Sequence, residues 1–195
     1  MSVRKRLGIA GLLACLLAGY SVAWATSVRH MNLDALITNS EQVFRGSVIS
    51  VQPGTVSIGG SEIPTTTYTF EVAEMFKGAA TMEKNQRQYV AVTMVGSIKG
   101  PEAPVGNLQR FDRFRDVPRL AQGEQYLLFT TAPSQYGLSV TVGLAQGCFD
   151  ITGGMALNRA GNAGLFNGTA YAGPASGPIE YDELASRIRA TIGTR

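Results

Sequence analysis

Few side chains in this sequence have the chemistry to attack a substrate or hold a metal. There is one histidine, His30, and there are two cysteines, Cys15 and Cys148. One imidazole cannot build a His-rich metal site or a facial triad, and no cysteine pair stands beside it to complete a zinc site. A Cys148–His30 dyad is the one conventional nucleophile–base pairing that the composition permits. Against it, His30 lies near the expected mature N-terminus, where chains are commonly poorly ordered, and a solvated imidazole is the simpler expectation. Cys148 lies between Gly147 and Phe149 in a strand-like stretch, the usual setting of a small buried hydrophobe. The carboxylates are scattered, apart from Glu71/Glu74 at a strand end and Asp182/Glu183 at a helix start, where negative charge suits the helix dipole. A carboxylate pair for acid–base work would have to be assembled in space. No glycine-rich phosphate loop stands between a strand and a helix. The reading is no catalytic residue, no metal and no cofactor.

The segment that could bind is Arg110-Phe111-Asp112-Arg113-Phe114-Arg115-Asp116, followed by Arg119. Guanidinium forks suit carboxylate and phosphate groups, and interfaces favour arginine and aromatic side chains. Arg110, Phe111, Arg113, Phe114, Arg115 and Arg119 are therefore the candidate partner-contact residues. The plainer alternative is a loop packed by its two phenylalanines over the end of a barrel, with Asp112 and Asp116 offsetting half the charge. The segment belongs to a long irregular stretch, 96–119, containing Pro101, Pro104 and Pro118. Loops of that length in compact domains are commonly functional or mobile. Asn167-Gly168-Thr169 spells a glycosylation sequon and reads as a turn.

The first residues look like a leader. Arg4, Lys5 and Arg6 precede an apolar run from Leu7 to about Val22, and Ala23-Trp24-Ala25 is an A-x-A cleavage site. The run is shorter than the ~20 residues of a spanning helix. The expectation is a signal peptide at 1–25 and one domain at 26–195, exported to the periplasm or medium with no membrane span after cleavage. Leu12-Leu13-Ala14-Cys15 resembles a lipobox, but Lys5 and Arg6 crowd that cysteine and the residues after it stay apolar, so cleavage after Ala25 is preferred. The whole chain has 17 basic and 14 acidic residues. Three of the basic ones lie in the leader, so the remainder is neutral and carries no global field that would draw nucleic acid. Cys148 is left without an internal disulfide partner, and a thiol paired between chains stays open.

The elements that would position these groups read mainly as strands. Leu33, Leu36 and Ile37 fall on one helical face behind Asn32, a plausible cap, giving a short helix at 32–40. Strands follow at 42–51, with a bulge or a tight bend at Gly46, and at 65–75, where Tyr68, Phe70 and Val72 alternate with polar residues. A polar connector at 79–87 leads to a strand at 88–95. Tyr126 to Phe129 is apolar on both faces, as in a strand covered on both sides. Leu138, Val140 and Val142 alternate with Ser139 and Thr141, predicting a strand with the aliphatic side inward. Strands at 147–151 and 155–158 follow, the latter in a hairpin with 164–166 around Arg159-Ala160-Gly161-Asn162. A closing helix at 182–192 has Leu184, Ile188 and Ile192 on one face and Gly193 as its stop. Six to eight successive strands with helices only at the ends predict an antiparallel OB-like barrel, closed or partly open, with a sandwich as the alternative.

Several positions together resemble a family of poorly characterised bacterial exported proteins. They are Leu33 to Phe44 leading into Gly46-Ser47-Val48, Tyr68 to Val72 followed by Phe76-Lys77-Gly78, Pro118-Arg119-Leu120 followed by Gly123 to Phe129, and Gly143 to Gly147 with Phe149. The layout is similar to the OB-like barrels of netrin-type modules and tissue inhibitors of metalloproteinases. Those inhibitors ligate the protease zinc through a cysteine at the mature N-terminus, and Thr26 stands here instead. The resemblance implies a barrel and supplies no catalytic residues. The functional expectation is a non-enzymatic binding module for a protein or small ligand. An envelope hydrolase with a spatially assembled site and a protease-inhibitor-like protein are the alternatives.

Overall fold

The structure is a computed structural model that describes residues 30–97, 117–170 and 173–194. The leader with Cys15 lies outside the described residues, as do Arg110, Phe111, Arg113, Phe114 and Arg115.

The first element forms as its spacing predicts. Helix α1 spans Leu33–Asn39 and buries Leu33, Leu36 and Ile37. Asn32 caps it, its Oδ1 accepting a hydrogen bond from Ala35 N at 2.9 Å. At the other end Lys77 Nζ donates to the carbonyls of Ile37, at 3.1 Å, and Ser40. A cation thus meets carbonyls near the helix end that otherwise lack intrahelical donors. Replacing Lys77 with methionine keeps the apolar stem and is expected to cost about 2 kcal/mol in urea unfolding. A loss within a few tenths would mean that water serves those carbonyls equally well.

Eight strands follow: β1 (Gln42–Ile58), β2 (Ser61–Lys77), β3 (Met82–Lys84), β4 (Arg87–Val95), β5 (Gln125–Thr130), β6 (Cys148–Thr152), β7 (Met155–Asn158) and β8 (Ile179–Glu180). A 3₁₀ turn at Leu144–Gly147 precedes β6, and helix α2 (Tyr181–Gly193) closes the chain. All pairings are antiparallel, and the sheet runs β3-β4-β2-β1-β5-β6-β7-β8 without closing. Its β1–β2 hairpin turns at Gly59-Gly60, with φ of 59° and 79°. Such a two-residue turn needs positive φ at both positions, which glycine adopts without strain.

Strand β1 is longer than its sequence suggests and runs straight through Pro53-Gly54. Pro53 is opposite Thr66 of β2, while β5 pairs with β1 only as far as Ser47. Among the described residues no strand pairs with the outer edge of β1 at Pro53, so the proline breaks no ladder bond there. The bulge at Gly46 is present: the register shifts between Arg45 and Gly46, and a Cβ at Gly46 would stand 2.7 Å from Glu71 O.

The two faces of the sheet are buried differently. On one, Val43, Leu127, Phe129, Phe149 and Ile179 pack against α1 and against Leu184 and Ile188 of α2. On the other, Phe44, Val48, Tyr68, Phe70, Val90, Val92, Met94 and Leu128 form a second cluster with Leu120. Phe44 and Phe70 meet edge to face there, their centroids 5.2 Å apart. Strand β5 serves both clusters, Leu127 and Phe129 to one and Tyr126 and Leu128 to the other, as its unbroken apolar run predicts. Each fully buried side chain of this kind contributes about 1.5–3 kcal/mol.

Three sequence readings differ from the structure. Residues 138–142 form a single bridge, Thr141 to Thr130, and the predicted alternation fails: Val142 is buried as expected, but Ser139 and Thr141 are buried as well and Val140 is 37% exposed. Ser139 N donates to Thr93 O at 2.8 Å and Thr141 Oγ1 to Leu144 O at 2.7 Å. The buried Thr141 hydroxyl and the Ser139 backbone amide are thereby satisfied. Burial of Thr141 and Val142 in succession shows that the two-residue period is not kept. Residues 164–166 are turn, not strand, and β7 pairs with β6 and β8 instead. The connector at 79–87 contains β3, joined to β4 by Asn85-Gln86 in the left-handed region. Helix α2 matches its predicted span to a residue at each end, with Gly193 as its last residue.

Candidate functional site

Arg119 is the one candidate contact residue within the described part. Its side chain is exposed between buried Pro118 and Leu120. The backbone around it is fixed from three directions. Arg159 Nη2 donates to Arg119 O at 2.6 Å. Tyr126 Oη accepts from Ala121 N at 3.0 Å. Gly123 N and Val48 N exchange bonds with Val48 O and Glu124 O at 2.8 and 3.0 Å, extending the edge of β1. The stretch 117–124 is thereby a rigid foot for the arginine-rich segment. Arg159 is exposed and comes from the turn after β7. Sequence reasoning read it only as part of a hairpin turn, and no local pattern could have joined it to Arg119 across 40 residues.

His30 and Cys148 are not assembled as a dyad. Cys148 has no exposed surface and belongs to the second core cluster, opposite Leu128. Burial pushes its thiol up to about 12, and the charge of Asp150 pushes the same way. A thiol so buried and so weakly acidic is inert. His30 is exposed and lines a cleft with Met31, Asn32 and Gln146, a group that does not include Cys148.

The carboxylates hold elements together. Glu71 receives Arg87 Nη1 at 2.9 and 3.1 Å, an exposed pair of the sort that contributes little. Glu74 does more: it accepts from Tyr181 Oη at 2.8 Å and from Arg189 Nε at 2.9 Å, tying the first residue of α2 and a later turn of it to β2. The Arg45 guanidinium lies 4.4 Å over the Tyr181 ring. Burial, then the hydrogen bond to Glu74, raises the acid range of the Tyr181 hydroxyl. Among the described residues no group of three or more His, Cys, Asp or Glu could hold a metal ion.

The motif residues noted in the sequence have structural duties. Phe76 packs against the helical core, Lys77 serves the end of α1, and a Cβ at Gly78 would stand 2.9 Å from Glu41 O. Gly147 is tighter still, since a Cβ there would fall 2.3 Å from Val142 O. These spacings encode close backbone approaches.

The fold and its contacts define a mainly β protein, an eight-stranded antiparallel sheet with two helices on one face. No protein-family model matches the sequence, and no curated protein does. Among the described residues no helix is long and apolar enough to cross a membrane.

Proposed function

We propose that this chain is an exported, non-enzymatic binding module that engages an anionic partner through Arg110, Phe111, Arg113, Phe114, Arg115 and Arg119. The observation that carries the reading is the bond from Arg159 to the carbonyl of Arg119. It brings a further guanidinium to the foot of a segment already rich in arginine and holds that foot still, which lowers the ordering cost of binding. Bidentate guanidinium groups interleaved in sequence with phenylalanines suit carboxylate, sulfate or phosphate groups on a macromolecular surface.

The scaffold we propose for this module is a partly open OB-like barrel. Two bonds support it. Ser139 N to Thr93 O, at 2.8 Å, reaches β4, and Val142 N to Phe129 O, at 2.8 Å, reaches β5. Residues 139–142 would then act as a staple between the edge of β4 and β5. The leader at 1–25 supplies the route of export.

Charge reversal tests the function. Wild type is expected to be held on a sulfated-polysaccharide resin at low ionic strength and released by salt, because exposed charge pairs are screened. Arg119→Glu with Arg159→Glu should elute earlier with an unchanged circular dichroism spectrum. Equal retention of the two proteins would remove the arginine surface from the account.

A further inference from the structure

A second concavity carries a different chemistry. A cleft of about 640 Å³ is lined by residues that include His30, Asn32, Asn39, Gly143, Gln146 and Asn167. That volume lies in the range of small-ligand sites. Its walls come from three distant parts of the chain: the lead into α1 with α1 itself, the turn before β6 and the turns after β7. Hydrogen bonds lock them together. Met31 N donates to Gln146 Oε1 at 2.7 Å, Asn32 Nδ2 to Asn167 O at 2.8 Å, and Leu33 N to Leu165 O at 2.8 Å. Gln146 is only 4% exposed, and its carbonyl accepts from buried Asn158 at 3.0 Å. Gly164 closes the other wall, where a Cβ would stand 3.1 Å from that of His30. The cleft is preformed, so a ligand would find little left to order.

The lining contains no Asp, Glu, Lys or Arg. A charged ligand would lose hydration there without an opposite charge to replace it. A carboxamide pairs an acceptor oxygen with a two-proton donor; those of Asn32 and Gln146 serve the walls themselves, so Asn39 and Asn167 present theirs to the cleft. Asn167 and His30 are exposed at its rim, and Asn39 uses its Nδ2 on Ala35 O at 2.7 Å, which leaves its Oδ1 to accept. Met31 adds an apolar patch. An adjacent donor and acceptor match a pair of vicinal hydroxyls, whereas an apolar ligand would strand them unpaired. We infer that this cleft binds an uncharged polyhydroxy ligand of the saccharide class, with Asn39, Asn167 and His30 as contacts. The site shares no residue with the arginine surface.

Saturation-transfer NMR on the mature protein tests it, with cellobiose, maltose and diacetylchitobiose each at millimolar concentration. Transfer from at least one sugar is expected. Asn39→Ala with Asn167→Ala should weaken it by about tenfold or more, the order of one lost hydrogen bond. Both positions are exposed, and an unchanged thermal melt would show the variant folded. Arg119→Glu with Arg159→Glu should leave the transfer intact. Silence from all three sugars would overturn the assignment, and so would transfer that survives in the folded asparagine variant.

Discussion

Asn162→Ala is expected to lower the stability of the fold by about 3–5 kcal/mol, because it strands several buried polar groups at once. Asn162 is 3% exposed and Asn158 is 4% exposed. Asn162 Nδ2 donates to Ala156 O at 3.0 Å and to Gly177 O at 2.8 Å, while its Oδ1 accepts from Asn158 N at 2.8 Å. Asn158 Oδ1 in turn accepts from Ala160 N and Asn162 N, and its Nδ2 reaches Gln146 O. Two side chains thus bind the end of β7, the turns after it and the approach to β8. Asn162 also has a φ of 56°, a region that asparagine tolerates better than alanine. Asn162→Gly relieves that strain but not the lost bonds, so it should lie about 1 kcal/mol closer to wild type. Urea unfolding followed by circular dichroism gives both values. A loss below about 1 kcal/mol for the alanine variant would show that water replaces the network.

The second large effect is alkaline unfolding. Cys148, Tyr126 and Tyr181 all have acid groups raised by burial, and Cys148 is the clearest, from 9.0 to about 12. The unfolded chain loses the Cys148 proton first as pH rises, so it binds fewer protons than the folded chain above about 9. Stability is then fully present below about 9 and falls by about 1.4 kcal/mol per pH step until about 12. A fold with ~5–15 kcal/mol in total would feel that from one residue. The two tyrosines push in the same direction. Cys148→Ala should be less stable at pH 7, having left a small cavity, yet lose less between pH 9 and 11. Parallel pH profiles for the two proteins would contradict the buried thiol.

What was legible in the sequence follows from which physics is local. Helix α1 was readable because Leu33, Leu36, Ile37 and the Asn32 cap lie within one turn of each other. Strand β5 was readable because four successive apolar residues can be satisfied only with a core on either side. The burial of Ser139 and Thr141 was not, since this stretch is held by distant groups such as the Thr93 carbonyl, which accepts from the Ser139 backbone N–H. The role of Asn158 and Asn162 was hidden for a similar reason: the letters read as a turn, and only packing shows that their carboxamides replace the missing strand at 164–166. At the site, Arg119 could be singled out by composition, whereas Arg159 could not. Cys148 was read correctly as core, from its setting between a glycine and a phenylalanine.

The central proposal is that this chain binds an anionic partner through its arginine-rich segment. Its most direct test is affinity capture from the organism's own exported fraction, with the mature wild type beside a variant carrying Glu at 113, 115, 119 and 159. The account predicts an acidic partner retained by wild type, released by moderate salt and missing from the variant. An identical set of proteins on both, or a captured molecule that wild type converts to product, would contradict it.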